Sequence, residues 1–340
     1  MKTRVLGKTG LTVSRFCLGA MMFGQRGNPD HDDCIRIIHR ALDAGINFID
    51  TADVYTHGES ETIVGKALKG KRDNLVLATK FMGPMSEDVN ERGGSRKWII
   101  KEVENSLKRL QTDYIDLYQI HRYDANTDME EVLFTMTELV RQGKVRYIGS
   151  SMFPPDRIIE CQWIAEKRST MRFRCEQPWY SIFAREIERF VLPTCHRYGM
   201  GVITWGPLDA GFLSGKYRTS KDLTEETRIG QFAKTFFGGF DPEDRVYQQK
   251  LALVEQLAKV ADEAGIGLAQ MAVAFTQVHP YVTSTIIGPR TMEQLESLLP
   301  VVDMELDDAI LDKIDAIVPP GTVIDNPRDI PDGTASRRGS

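Results

Sequence analysis

Cysteine is scarce in this 340-residue chain: five residues, Cys17, Cys34, Cys161, Cys175 and Cys195, with no C-x-x-C pair and no histidine at ligand spacing. A disulfide framework and a zinc site are therefore not expected, and a reducing cytosol fits better. No apolar run approaches the roughly 18 residues that a membrane-spanning helix needs. The opening MKTRVLGKTG is too polar for a secretory leader, so the chain reads as soluble and cytoplasmic. A large excess of either charge is also missing. The net charge of −5 argues against non-specific binding to nucleic acid or anionic membranes. No G-x-G-x-x-G follows a strand, so a Rossmann-type nucleotide site is not indicated. The run GFLSGK (211–216) is one residue short of a P-loop, and Tyr217 stands where that motif needs Ser or Thr.

What the chain does hold is strand and helix in alternation. Short apolar stretches at 16–21, 47–50, 75–79, 115–119, 145–149, 173–177, 201–205 and 285–287 read as eight strands. Helical patterns separate them. Ile35, Ile38, Ala41 and Leu42 follow a start at 30–33. Ile63, Val64, Ala67 and Leu68 mark the second helix. Ser95 is placed to cap the third, whose inner face is Ile99, Val103, Leu107 and Leu110. A fourth spans 129–141 and stops at Gly143, and Pro154-Pro155-Asp156 opens a fifth. The pattern predicts an α/β fold, a single (β/α)8 TIM barrel over residues 1–318. Two short strands flanking Gly7-Lys8-Thr9-Gly10 predict an N-terminal hairpin, and 307–318 a C-terminal helix. Residues 319–340 form a Pro/Gly-rich extension whose last ten positions read as a disordered tail. The connections 81–94 and 207–241 exceed the usual length and are expected to border a site.

Parallel strands in such a barrel end on one face, where active sites lie. Four polar, titratable side chains fall at three successive strand ends: Asp50, Tyr55 in the loop after it, Lys80 and His121. In order and surroundings they resemble the catalytic tetrad of the aldo-keto reductase family. The likeness continues through GKVRYIGSS (143–151), EQPWY (176–180), TWGPLDAGFLSGKY (204–217) and TIIGPRTMEQLE (285–296), and covers residues 3–318. It is also similar to the potassium-channel β-subunit branch of that family.

The resemblance implies that the hairpin plugs the bottom of the barrel and that a nicotinamide dinucleotide lies extended across its mouth. Ser151 and Gln177 would then bond the carboxamide and Trp205 would stack on the ring. Gly206, Pro207 and Leu208, with Ser214, Gly215 and Lys216, would follow the pyrophosphate. Gly288, Arg290 and Gln294 would meet the adenosine end, and Met21 and Asp50 also fall among the cofactor positions. A guanidinium at Arg290 suits a 2′-phosphate, so NADPH is expected ahead of NADH. Taken singly, Trp205 also suits core packing, and Lys216 and Arg290 suit solvated surface charges. Met152 stands where many relatives carry Asn, and Ser297-Leu298 where Glu-Asn is common.

The chemistry follows from the residue types. A free tyrosine, with a pKa of about 10, is a poor acid near neutrality, and a lysine beside it favours the phenolate. Asp50 would hold Lys80, Tyr55 would protonate a carbonyl oxygen, and His121 would orient it. No side chain supplies hydride, so a nicotinamide is required. The leading expectation is an NADP(H)-dependent reductase of a small aldehyde or ketone, the partner being that carbonyl compound rather than nucleic acid or membrane. A nicotinamide-binding regulatory subunit is the second reading, although the chain begins almost at the hairpin. A lyase with Lys80 as Schiff-base nucleophile is the third. His57, close to Tyr55, either approaches substrate or is solvated. Phe23, Phe81, Trp179, Phe236 and Phe237 are the expected aromatic wall of the substrate pocket. Oligomeric state is open.

Overall fold

The structure, a computed structural model, describes residues 1–237 and 239–324; of Phe232, Thr235, Phe236 and Phe237 it describes the backbone alone. The expected tail at 331–340 lies outside the described residues.

Eight parallel strands close into a barrel. They are β3 (Phe16–Gly19), β4 (Phe48–Asp50), β5 (Val76–Phe81), β6 (Ile115–Ile120), β7 (Val145–Ser151), β8 (Cys175–Gln177), β9 (Gly201–Thr204) and β10 (Ser284–Ile287), with β10 pairing back to β3. The (β/α)8 fold is therefore present. Two strands run two residues further than the sequence signals suggest, and β6 one. β5 continues through Lys80 and Phe81, paired with Gln119 and Ile120 of β6, and β7 continues through Ser151, paired with Gln177. In both places pairing with a neighbour outlasts the apolar run.

The hairpin β1 (Thr3–Val5) and β2 (Thr12–Ser14) precedes the barrel. Its Leu6 and Val13 pack with Cys17, Phe48, Leu117 and Ile203 in the barrel interior. Gly7 has φ +54°, and a Cβ there would lie 2.5 Å from the Gly199 carbonyl oxygen, so the turn seats against the backbone leading into β9 only as glycine.

Helices α1 (His31–Asp43), α2 (Glu59–Ala67), α3 (Arg96–Leu110), α4 (Met129–Arg141) and α5 (Pro155–Arg168) cover the first half of the barrel, each starting within a few residues of its sequence signal. Asp30, Ser95 and Asp128 accept bonds from free N–H groups of the first turns of α1, α3 and α4. Beyond them lie α6 (Val191–Tyr198), α7 (Arg228–Phe237), α8 (Arg245–Glu263), α9 (Leu268–Val278), α10 (Met292–Leu298) and α11 (Asp308–Ile317). The 207–241 segment is thus not one open loop: it holds two 3-10 turns and α7. Among the described residues no helix is long and apolar enough to cross a membrane.

Candidate active site

β4, β5 and β6 bring Asp50, Lys80 and His121 to one end of the barrel. Period-2 alternation turns Lys80 inward, and the side chain is fully buried. Its Nζ donates to Asp50 Oδ1 at 2.5 Å and to the Thr51 carbonyl at 2.8 Å, and lies 3.4 Å from the Tyr55 hydroxyl oxygen. Burial alone pulls the ammonium pKa down, but Asp50 and then Tyr55 more than offset it, and the net direction is upward. Asp50 is itself buried, and its other oxygen accepts from Gln177 at 2.9 Å and from Gln119 at 3.3 Å. The carboxylate is thus held by an ammonium and two amides, which fixes the ammonium beneath the phenol.

The Tyr55 ring meets His121 edge-on, centroids 5.7 Å apart. Burial, then Arg122 and Lys80, push the imidazole pKa well below its ordinary value. His121 is therefore neutral at pH 7, a form with one N–H to donate. Tyr55 and this imidazole are thus neighbours at the strand ends, an O–H and an N–H donor on two rings in edge-on contact.

A strained loop carries Tyr55. Thr56 and His57 have φ of 51° and 50°, conformations that cost roughly 1 kcal/mol or more per non-glycine residue. What holds it lies underneath. A Cβ on Gly58 (φ +87°) would fall 2.5 Å from Arg109 Cδ, so the loop rests directly on the arginine side chain. Arg109 in turn is clamped by Glu61 at 2.6 Å and by Glu102. Asp53 adds a second anchor, its N–H donating to the Lys80 carbonyl at 3.1 Å. Burial, then Glu61 and Glu102, raise its carboxyl pKa well above the usual range. His57 is exposed at the loop's outer edge.

The opposite side of the mouth is built by β7 to β10. Ser151, the last residue of β7, is buried and donates to the Gln177 carbonyl at 2.9 Å. Met152 follows with φ 59°. Glu176 closes this turn from behind, accepting from Ser150 Oγ and from Phe153 N at 3.1 Å. Burial raises its pKa from 4.5 to about 7. A carboxyl whose folded pKa is raised binds its proton more tightly in the folded state, so its contribution to stability falls as pH rises from about 4.5 to 7. The shift corresponds to roughly 3 kcal/mol. Glu176→Gln is therefore expected to gain on the parent protein in urea-unfolding midpoint between pH 5 and 8. Parallel pH dependences of the two would show that Glu176 ionises normally.

Trp205 is half-buried and stacks at 5.9 Å and 18° on Trp179. After it, Gly206 and Leu208 are half-buried and Pro207 is buried, leading into a left-handed run at Asp209, Ala210 and Gly211 (φ 47°, 52° and 104°). Ser214 donates to the Gly211 carbonyl at 2.6 Å, Gly215 is left-handed, and Lys216 is exposed. At the β10 end Gly288 and Arg290 are exposed. The Gln294 side chain is taken by the Arg290 N–H at 2.8 Å and so trims the start of α10. Met21 is half-buried just past β3.

Some positions depart from expectation. Phe23 and Phe81 do not line a pocket: both are fully buried in the core around the barrel, Phe81 against Tyr118 at 4.9 Å. The alternation that turns Lys80 inward turns Phe81 outward. The side chains of Phe236 and Phe237 lie outside the described part. Two residues that sequence reading passes over enter the site. Gln119 bonds Asp50, and its spacing of two from His121 on an inward-facing row is the signal that marks it. Arg228, at the start of α7, keeps an exposed edge but is crowded by surrounding protein, and that partial desolvation, then Arg290, lower its pKa, with Tyr217 and Tyr55 acting in the opposite direction. No local pattern announces it.

A closed parallel barrel thus gathers Asp, Tyr, Lys and His at one end of its strands, a set suited to the proton transfer of an oxidoreductase-type site. Comparison with known proteins agrees. The profile of the Aldo/keto reductase family matches residues 15–319, and the chain belongs to that family. It is 40% identical over 331 residues, 94% of this chain and 96% of the relative, to the "Uncharacterized oxidoreductase YrpG" of Bacillus subtilis (strain 168). It is 36% identical over 324 residues, 93% of this chain and 92% of the relative, to a putative voltage-gated potassium channel subunit beta of Schizosaccharomyces pombe. A probable subunit of the same name from Oryza sativa subsp. japonica is 34% identical over 326 residues, 94% of this chain and 97% of the relative. As a member of this family the protein is an oxidoreductase.

Proposed function

We propose that the protein is an NADP(H)-dependent reductase of aldehydes or ketones, with Tyr55 as proton donor. The observation that carries this reading is the Lys80 ammonium held between Asp50 and the Tyr55 hydroxyl, 3.4 Å from the phenol. A positive charge there stabilises the phenolate that forms as Tyr55 gives up its proton. Neutral His121 donates its N–H to the substrate oxygen, and Asp50, fixed by Gln119 and Gln177, keeps Lys80 in register. The bound nicotinamide supplies the hydride. The same pairing disfavours the lyase reading, because a Schiff-base lysine must lose its proton and Asp50 opposes that loss.

The fit for a dinucleotide phosphate rests on charge. Arg228 and Arg290 stand close enough for each to act on the other, and neither makes an ion pair among the described residues. Two uncompensated guanidinium groups at one rim suit a polyanion, NADPH ahead of NADH. Trp205 would stack on the ring with Ser151 and Gln177 at the carboxamide. Met21 and the 206–208 and 214–216 segments would border the chain of phosphates, and Gly288 and Gln294 the adenosine end. Gln177 would keep one amide proton on Asp50 while doing so.

Arg290→Ala is expected to weaken NADPH about ten- to a hundredfold, the worth of one charge-assisted hydrogen bond, and to leave NADH almost unaffected. Quenching of tryptophan fluorescence on titration with each cofactor measures this. Equal losses would place Arg290 on the shared part of the two cofactors, and no loss would make it a surface charge.

The relatives named as channel β subunits favour a second reading, a nicotinamide-binding regulatory subunit with little turnover. Loss of NADPH absorbance on adding a panel of aldehydes separates the two: sustained turnover supports the reductase, and cofactor binding without turnover supports the subunit.

A further inference from the structure

Arg122 is the one arginine that directly follows a member of the tetrad, and the mechanism above gives it no task. It sits at the mouth end of β6, half-buried, and donates to the His121 carbonyl at 2.7 Å, which anchors the side chain beside the imidazole. It makes no ion pair among the described residues. Its charge acts on the Tyr55 phenol and on Glu176. Glu176 is the carboxylate its charge reaches, but it forms no ion pair with Arg122, and its oxygens accept from Ser150 Oγ and the Phe153 N–H. Burial destabilises the cation, and its pKa is lowered. A guanidinium that loses hydration without gaining a carboxylate is costly for the fold. Most other partly buried arginines here do have one: Arg72 pairs with Asp116, Arg109 with Glu61 and Glu102, and Arg185 with Glu188 and Asp315.

We infer that Arg122 is a substrate-binding residue that receives an acid group, so that the preferred carbonyl substrates are anionic, carrying a carboxylate or phosphate a few bonds from the carbonyl. Three features support it. The guanidinium is folded back onto the His121 carbonyl, and its charge reaches both the imidazole and the Tyr55 phenol, which puts it on the side of the mouth where the reacting oxygen lies. Its planar fork matches the two oxygens of a carboxylate. The anchoring bond to the His121 carbonyl uses one N–H and leaves others to donate. Arg228 and Arg290 act on each other and are assigned above to the cofactor's phosphates, which leaves the acid-binding role to Arg122. The inference rests on the carbonyl-reduction reading of the site and narrows it to a class of substrate.

The test uses the full chain with NADPH and benzaldehydes bearing a carboxylate at the ortho, meta or para position, each compared with its methyl ester. At one ring position or more, the acid is expected to exceed its ester about tenfold or more in kcat/KM, the lower end of a charge-assisted bond. Arg122→Gln should bring that ratio to about one whatever the absolute rate, and Arg122→Lys should keep part of it. A parent protein with no acid preference at any position, or a glutamine variant that keeps the preference, overturns the inference. A substitution that merely disturbs His121 would lower acid and ester alike and preserve the ratio. If neither acid nor ester oxidises NADPH, the reductase reading fails on its own. Benzoate against benzamide binding to the NADP+-loaded protein then decides the role of Arg122: a benzoate preference lost in Arg122→Gln upholds it, and its absence from the parent protein overturns it.

Discussion

Tyr55→Phe is expected to lose a hundred- to ten-thousandfold in kcat for aldehyde reduction, the usual worth of a positioned proton donor, with NADPH affinity close to the parent value. The ring keeps its edge-on contact with His121, and only the hydroxyl 3.4 Å from Lys80 disappears. The loop is supported elsewhere, at Gly58 on Arg109 and at Asp53 on the β5 backbone, so the substitution leaves its anchors in place. A selective fall in kcat identifies a group that acts in the transition state. Steady-state kinetics with one aldehyde and a fluorescence titration of NADPH supply both numbers, and undiminished turnover would remove Tyr55 from the chemistry.

Lys80→Met should be at least as damaging, for a different reason. The ammonium is fully buried and provides the short bond to Asp50. Its removal takes away the charge that favours the phenolate and leaves a buried carboxylate with only Gln119 and Gln177 as side-chain donors. Breaking one side of a buried ion pair commonly costs about 3–5 kcal/mol, so a lowered unfolding midpoint should accompany the lost activity. Because Lys80 acts through Tyr55, the double variant Tyr55→Phe with Lys80→Met should be scarcely slower than the worse single one. Multiplied losses would mean that the two residues work independently. Borohydride reduction with substrate present gives a further check: a covalent adduct on Lys80 would support the lyase chemistry instead.

Much of this site is legible in the residues because each apolar run stops within a residue or two of its strand's end. Asp50 closes β4, Lys80 is next to last in β5 and His121 follows β6, and the register of the three strands then brings them together. The same alternation, carried one residue further, shows Phe81 facing the helices, and carried two back from His121 it reaches Gln119. These were readable from period two alone. Arg228 was not. It lies in a long connection where no neighbour repeats, and its position depends on how α7 folds over the mouth. Helix α9 is obscure for another reason: Leu268, Met271, Ala272, Val273, Ala274 and Phe275 are all buried, so an all-round apolar stretch has no polar face to reveal its period. Ser151 and Gln177 carry no chemistry that singles them out, and only their register at the ends of β7 and β8 joins them to the site.

The most direct test of hydride transfer with Tyr55 as the proton donor is a single-turnover reaction of the protein with stereospecifically deuterated NADPH and an aldehyde. The alcohol product and the oxidised cofactor are analysed by mass spectrometry. Deuterium from one face of the nicotinamide should appear on the carbinol carbon in step with cofactor oxidation, and the rate should collapse in Tyr55→Phe. Alcohol without the label, no alcohol at all, or transfer that proceeds unchanged in Tyr55→Phe would contradict it.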